Sequence, residues 1–398
     1  MKLWFETFGC RLNRAEALQR EAELVAAGHI PAQGRLDADV IIVRGCSITA
    51  RAQHDCEKLI HHLREKYPSK KIIVEGCLPD KTDPKNAALP NMVSSLSGDT
   101  PVVSTKTARA YLKIQDGCNG KCSFCIVPRF RGKSVCVPFD EVIGNAKAFI
   151  AAGYREIVVT GCNIALYESQ GKHLPELIES LADISEDVRI RIGSVEPVKS
   201  TEKLIEAMAS RPNICRFLHL TIQSGSDTIL SAMRRPYNAK AVENIIRKAS
   251  EAMPLIGLGC DLITGFPGES NLDFMVTKKL LKSFEFSNVH VFVYSERPGT
   301  AAADFSNAVP RELRKARAHD LSALAASART NYAKKFIGRE VQYIVEDDDK
   351  ISGWSGEYFL CKPSLLKPTP TAKRKELIKA VVTGLNKDTL ITETIVEN

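Results

Sequence analysis

Between about Ala110 and Tyr294 the chain alternates apolar β-type runs with helical stretches six times, a rhythm that few folds accommodate. The runs are Ala110–Gln115, Glu156–Thr160, Arg189–Gly193, Phe217–Ile222, Gly257–Ile263 and Asn288–Tyr294. Helical patterns at Phe139–Ala152, Leu174–Ile184, Thr201–Ser210, Ala239–Met253 and Leu272–Glu285 fill the gaps. Strands joined through crossover helices run parallel, so these units predict an incomplete (β/α)6 barrel. Barrels of this kind build their sites from loops at the carboxyl ends of the strands. Each expected end carries glycine or polar residues: Asp116-Gly117, Gly161-Cys162-Asn163, Ser194-Val195-Glu196, Gln223-Ser224-Gly225, Thr264-Gly265 and Tyr294-Ser295.

The N-terminal third repeats a second pattern, an apolar strand ending in glycine and cysteine. It occurs at Leu3 to Cys10, Val40 to Cys46 and Ile72 to Cys77, with helical patterns at Ala15 to Ala27 and Ile48 to Lys66 between the strands. An open parallel sheet collects its strand ends at one edge, where such sheets bind ligands. Cys10, Cys46 and Cys77 are therefore expected to meet there as a metal-binding trio. A buried apolar thiol explains any one of them, but equivalent placement of three asks for a shared cause.

A second trio, Cys118, Cys122 and Cys125, has C-x3-C-x2-C spacing within one loop. Random placement of 12 cysteines in 398 residues gives that spacing in only about 1% of chains. Thiolates select zinc or iron–sulfur centres, and a structural zinc site normally has four ligands. Three cysteines on a four-iron cluster leave one iron open for the amino and carboxylate groups of S-adenosylmethionine. Gly117 and Gly120 permit a tight wrap around such a cube, and Phe124 can shield its face. A zinc knuckle with a distant fourth ligand is the bland alternative.

At these residues the chain resembles the radical S-adenosylmethionine superfamily and, more narrowly, its methylthiotransferases. The resemblance rests on Thr7 to Asn13, on the cysteine loop continuing through Ile126 to Gly132, and on Leu220 to Ser226. Further matches are Met233-Arg234-Arg235-Pro236-Tyr237, Thr264 to Glu269 and Val293 to Thr300. It implies two [4Fe-4S] clusters, on Cys118, Cys122 and Cys125, and on Cys10, Cys46 and Cys77, with S-adenosyl-L-methionine as cofactor. The family often has Asn-Thr before the middle ligand of the N-terminal trio, where this chain has Arg44-Gly45. A cation there could tune that centre or hold an anionic group. Gly161, Asn163, Glu196, Gln223, Ser224 and Gly225 are the candidate S-adenosylmethionine contacts, although glycine and serine also simply terminate strands. The remaining cysteines, Cys56, Cys136, Cys162, Cys215, Cys260 and Cys361, read as structural thiols, with Cys162 placed to face the site.

After Tyr294 a basic helix, Arg311 to Lys335, leads into short β-type runs at Val341–Val345, Tyr358–Cys361, Lys379–Val382 and Thr389–Thr392. These suggest a small barrel whose position resembles the tRNA-gripping TRAM module. The expected organisation is thus α/β, with an open-sheet N-terminal domain over residues 1–100, a radical S-adenosylmethionine barrel over 104–335 and a TRAM-like β domain over 336–398. Net charge is +8, the sign suited to nucleic acid. Basic residues cluster between Arg109 and Lys133, and again at Lys367, Lys373, Arg374, Lys375 and Lys379. The second cluster is the candidate phosphate contact, against the ordinary reading of a solvated charged face. No run of 18 apolar residues and no signal core are present. The expected setting is the cytoplasm, without membrane contact, where 12 cysteines read as ligands and buried thiols.

The resemblance implies methylthiolation of a modified adenosine beside the anticodon of tRNA. Phe8-Gly9-Cys10-Arg11-Leu12-Asn13 is most similar to the branch acting on C2 of N6-threonylcarbamoyladenosine at position 37. The isopentenyladenosine branch more often has Gly-Cys-Gln-Met-Asn, and the branch acting on a ribosomal-protein aspartate has Gly-Cys-Pro-Lys-Asn. Implied partners are the tRNA anticodon stem-loop and an electron-donor protein, with the enzyme a monomer. A non-enzymatic metal-containing RNA-binding protein is the distant alternative.

Overall fold

The computed structural model of the chain describes residues 1–78, 107–364 and 372–395. At the N-terminus four parallel strands lie in the order Ile30–Pro31, Lys2–Thr7, Val40–Gly45, Lys71–Gly76. Val40–Gly45 has neighbours on both sides, and its Ile41, Ile42 and Val43 are fully buried, as continuous apolar runs in parallel sheets must be. The helices Arg11–Ala26 and Ala50–Lys66 make the crossovers. The second helix starts two residues later than the sequence pattern suggests, because the Thr49 side chain accepts the Ala52 N–H at 3.1 Å and caps it there.

Six further parallel strands follow in chain order. Ala110–Lys113, Glu156–Thr160 and Arg189–Ile192 form one sheet; Phe217–Gln223, Gly257–Thr264 and Phe286–Val293 form the other. Parallel bridges Ile190 to Ile214 and Val195 to Leu220 join the two halves into one curved wall. Helices Phe139–Ala151, Leu174–Ala182, Ser200–Ser210, Ala239–Ala252 and Asn271–Ser283 cover its outer face. Leu112, Ile157, Val159, Ile190, Leu218, Leu220, Leu262 and helix residues such as Leu177, Leu204 and Val242 share that core. The first strand stops at Lys113, short of the expected Gln115. Gln115 and Asp116 instead pair antiparallel with Val135 and Cys136, which folds the cysteine loop back over the strand end.

The helix Arg311–Ala333 leads to a closed five-stranded barrel of Glu340–Asp347, Ser352–Ser355, Leu360–Pro363, Thr389–Thr394 and Leu377–Asn386. Within the barrel, Ser352–Ser355 has no β-type signature and is the strand that the sequence pattern misses. A buried ionic cluster pins this barrel to the curved wall: Glu156 takes Arg189 at 2.6 Å and Arg191 at 2.7 Å. The same arginines donate to the carbonyls of Gln342, Trp354 and Ser355. Tyr358 stacks on Phe217 and on Trp354, each with ring centroids 4.8 Å apart. Phe217 faces inward, so this loop closes one end of the wall's interior. Among the described residues, no helix is long and apolar enough to cross a membrane.

Candidate active site

The loop carrying Cys118, Cys122 and Cys125 is held by its own backbone. Cys118 N–H donates to Gly132 O at 3.1 Å, and Cys125 N–H to Cys122 O at 3.1 Å. Ser123 ties the loop to the wall by donating from N to Met233 O at 3.1 Å and from Oγ to Ala232 O at 2.8 Å. A side chain at Gly117 would place its Cβ 2.0 Å from Lys133 O, and its φ of +66° also favours glycine. A Cβ at Gly120 would lie 3.1 Å from Cys118 Sγ and 3.8 Å from Cys122 Sγ, so glycine keeps space open beside two sulfurs. Phe124 meets Phe266 edge to face at 6.5 Å, and both belong to an apolar cluster with Tyr294 and Phe305.

Cys10 stands at the start of the helix Arg11–Ala26, while Cys46 and Cys77 follow neighbouring strands. Burial pushes the Cys46 thiol up to about 11, and the Cys10 and Cys77 sulfurs add to that rise. The three strand ends therefore do bring these sulfurs within each other's field. Gly9 has φ +94°, and a Cβ there would come within 2.7 Å of Cys46 Cβ and 2.9 Å of its sulfur. In the other trio, Cys125 is also raised by burial to about 11, with Cys122 and Cys118 contributing.

Both trios offer soft donors beside glycine-cleared space, which fits iron–sulfur clusters. A single zinc needs its sulfurs about 4 Å apart, given Zn–S bonds near 2.3 Å. Among the described residues, the only three ligand atoms within 4.8 Å of one another are those of His219, Asp261 and His290. Neither cysteine trio is gathered that closely.

Two arginines absent from the sequence-based candidates touch the sulfurs. Arg131, six residues beyond Cys125, donates from Nε to Cys77 Sγ at 3.1 Å. Its other nitrogens reach Glu16 at 2.8 and 3.0 Å, Asp116 at 2.9 Å and Asn13 at 2.8 Å. Arg235 donates to Cys122 Sγ at 3.1 Å and lies 2.9 Å from Glu196. Both lie in runs quoted above for the resemblance, where their charge was the available signal. Arg44 touches no sulfur in this network; it pairs with Glu16 at 2.5 Å and Glu75 at 3.2 Å. Glu16 thus gathers Arg131, Arg44 and Lys113. Burial alone would raise its carboxyl, but the Arg131 hydrogen bond and the three cations hold it well below the usual carboxylate range.

Of the candidate S-adenosylmethionine contacts, Asn163 and Glu196 come together, with Asn163 Nδ2 donating to Glu196 Oε2 at 3.2 Å. Gly161 packs against Gln115, where a Cβ would lie 2.8 Å from the carbonyl oxygen. Gln223 adopts φ +71° at its strand end. Ser224 is fully buried against Thr277, 3.3 Å between hydroxyls, and Gly225 N–H donates to the same Thr277 oxygen at 3.0 Å. These two pack toward the helix Asn271–Ser283. Cys162 donates to Asp116 at 3.6 Å, which joins it to the Arg131 network. Cys56 is buried and supports Cys46, accepting its N–H at 3.4 Å. Cys215, Cys260 and Cys361 are buried and Cys136 is half-buried.

In the C-terminal basic cluster, Lys373 and Lys379 are exposed. Arg374 lies 3.8 Å from Asp348, and the Lys375 ammonium sits 3.6 Å from the Tyr154 ring centroid. Lys367 lies outside the described residues.

Residues 112–281 match the Radical SAM superfamily model, and residues 2–98 match the Uncharacterized protein family UPF0004 model. The chain is 32% identical to a tRNA-2-methylthio-N(6)-dimethylallyladenosine synthase of Saccharophagus degradans, over 88% of each chain. The chain belongs to the radical S-adenosylmethionine methylthiotransferases. It is also 29% identical to the threonylcarbamoyladenosine tRNA methylthiotransferase MtaB of Thermotoga maritima, over 86% of each. The Chlamydia pneumoniae protein of that name is 31% identical, over 87% of this chain and 86% of its own. The fold is shared with the radical S-adenosylmethionine methyltransferase TsrM of Kitasatospora setae, at TM-score 0.50 and 11% identity, over 73% of this chain and 68% of the other. As a methylthiotransferase this chain is an enzyme whose cofactors are S-adenosylmethionine and two [4Fe-4S] clusters.

Proposed function

We propose that this methylthiotransferase acts on tRNA, converting N6-threonylcarbamoyladenosine at position 37 to its 2-methylthio derivative. The observation that carries the reading is Arg11, directly after Cys10, whose guanidinium lies 5.1 Å from the Tyr358 ring centroid. Arg191 approaches the same ring at 5.0 Å, and His219 lies 6.1 Å from the Phe217 ring that Tyr358 covers. A threonylcarbamoyl substituent carries a carboxylate, which the Arg11 guanidinium can pair. An isopentenyl group would offer the Arg11 guanidinium no anionic acceptor, a mismatch a prenyl-selective site avoids.

Cys118, Cys122 and Cys125 hold one cluster in this proposal, and Cys10, Cys46 and Cys77 the other. When bound, such clusters supply the electron for cleaving S-adenosylmethionine and the sulfur that is inserted. The chain's part is orientation and exclusion. Asn163, Glu196 and Gln223, supported by Gly161, Ser224 and Gly225, take the cofactor's polar groups, and Arg235 fixes Glu196 relative to Cys122. Phe124 and Phe266 keep water from one side of the loop. The proposal divides the chain at 1–100, 104–335 and 336–398. It assigns phosphate contact to Lys373, Arg374, Lys375 and Lys379, and to Lys367, which lies outside the described residues. The enzyme works as a cytoplasmic monomer fed by an electron-donor protein.

The test is nucleoside mass spectrometry of tRNA from cells with and without the gene. Loss of 2-methylthio-N6-threonylcarbamoyladenosine alone is expected. Loss of the isopentenyl counterpart instead, or unchanged methylthio nucleosides, refutes the assignment.

A further inference from the structure

Three neighbouring strands place His219, Asp261 and His290 on one face. Asp261 pairs directly with His290, and His219 pairs with Gly259, two residues before Asp261. Leu218, Leu220, Cys260, Leu262, Val289 and Val291 alternate with them and point into the helix-covered core. The trio therefore faces the interior of the curved wall. His219 Nε2 lies 3.0 Å from Asp261 Oδ1, and His290 Nδ1 lies 3.1 Å from that same oxygen. Gly259 makes the convergence possible, since a Cβ there would lie 2.5 Å from His219 Nδ1.

We propose that His219, Asp261 and His290 bind a divalent first-row transition ion, separate from both cysteine trios. Two imidazoles and one carboxylate are a borderline donor set that suits zinc or iron(II) over magnesium or calcium. Ligands at about 2.1 Å stand about 3.0 Å apart on adjacent octahedral positions and about 3.4 Å apart on tetrahedral ones, so the 3.0 and 3.1 Å on the two edges that share Asp261 need little movement to admit an ion. Asn288 supplies the outer partner that a metal-bound histidine needs. Its amide nitrogen lies 3.3 Å from His290 Nε2. Turned over, that amide offers its oxygen to Nε2–H and leaves the Nδ1 lone pair for the ion. Side-chain exposure rises from 5% at His219 through 19% at Asp261 to 49% at His290. An ion can thus enter past His290 and keep its open positions toward the interior, where an oxygen donor of the substrate would complete the shell.

The competing account is a carboxylate that only accepts hydrogen bonds from two imidazoles. Cluster-loaded protein dialysed anaerobically against zinc separates the two, read by metal content and by zinc-edge X-ray absorption. The expected result is one zinc per chain beyond the iron, in a shell of nitrogen and oxygen only, with affinity falling at least about tenfold in His290→Ala. Asp261→Asn, nearly isosteric, serves if His290→Ala does not fold. Zinc content equal in wild type and variant, or a sulfur shell near 2.3 Å that marks zinc in a cysteine trio, overturns the proposal.

Discussion

Replacing Arg131 by methionine should loosen the N-terminal sheet from the curved wall. The guanidinium makes five contacts, to Cys77, Glu16 twice, Asp116 and Asn13. Only 9% of the side chain is exposed, and 8% of Glu16. Breaking a buried pair usually costs about 3–5 kcal/mol, because a charge is left behind without a partner. Here Glu16 keeps Arg44 and Lys113, and Asp116 keeps Lys113. The cost should therefore sit at the low end, about 3 kcal/mol, or roughly a hundredfold in the docking equilibrium. Most contacts cross between the first 78 residues and the wall, so the loss should appear locally. Hydrogen exchange in the helix Arg11–Ala26 should accelerate on that scale, while Phe217–Gln223 keeps its protection. Arg131→Lys keeps the charge but loses the fork geometry, and should fall between the two. Unchanged exchange in Arg11–Ala26, in a methionine variant that remains folded, would show that the cluster of charges holds nothing together.

Gly9→Ala should cut iron content by about half, because a methyl group at φ +94° meets Cys46 Cβ at 2.7 Å; iron assay and Mössbauer spectra should show the other cluster intact. Glu156 sets an acid limit. Burial opposes its ionisation, but Arg189, Arg191 and Arg109 hold its carboxyl at about 2, below the ordinary 4.5. A depressed carboxyl contributes stability above pH 4.5 and loses it as pH falls from there toward 2. Urea midpoints of iron-free protein should drop across that window, and Glu156→Gln should have a lower midpoint at neutral pH with a flatter acid dependence. An equally steep acid loss in the glutamine variant would place the titration elsewhere.

Periodic features were legible from sequence and non-periodic ones were not. The six wall strands matched because one side of each packs on helices, which writes alternation or full apolarity into Leu218, Leu220, Leu262 and their neighbours. Ser352–Ser355 was missed because a short strand in a closed barrel can be satisfied by pairing alone, and Ser352-Gly353-Trp354-Ser355 offers no pattern. Spacing singled out the cysteine loop as a candidate, and equivalent positions after parallel strands singled out Cys10, Cys46 and Cys77. Arg131 and Arg235 remained hidden, since a salt bridge between residues 115 positions apart, as in Arg131 and Glu16, leaves no local trace. Arg44 was legible only as an anomaly. Its role as a partner of Glu16 and Glu75 depends on side chains from a helix and a neighbouring strand.

Charge balance explains why arginine, and not lysine, stands at both cysteine trios. Thiolates gathered on a cluster concentrate negative charge in partly buried surroundings, and hydrogen bonds to sulfur offset it and raise the cluster potential. A guanidinium can donate to sulfur along one edge and bind a carboxylate along another, which a point-charged ammonium cannot do with fixed geometry. Arg131 does so with Cys77, Glu16 and Asp116, and Arg235 with Cys122 and Glu196. Under the proposed assignment, each carboxylate in turn limits the positive charge beside its trio when no cluster is bound. The consequence is asymmetric: Arg235 draws on residues of the wall alone, whereas Arg131 needs Glu16 and Asn13 from the N-terminal helix. Cys77 therefore has its sulfur donor only when the N-terminal sheet is docked, which couples the electrostatics of that trio to the position of the cysteine loop.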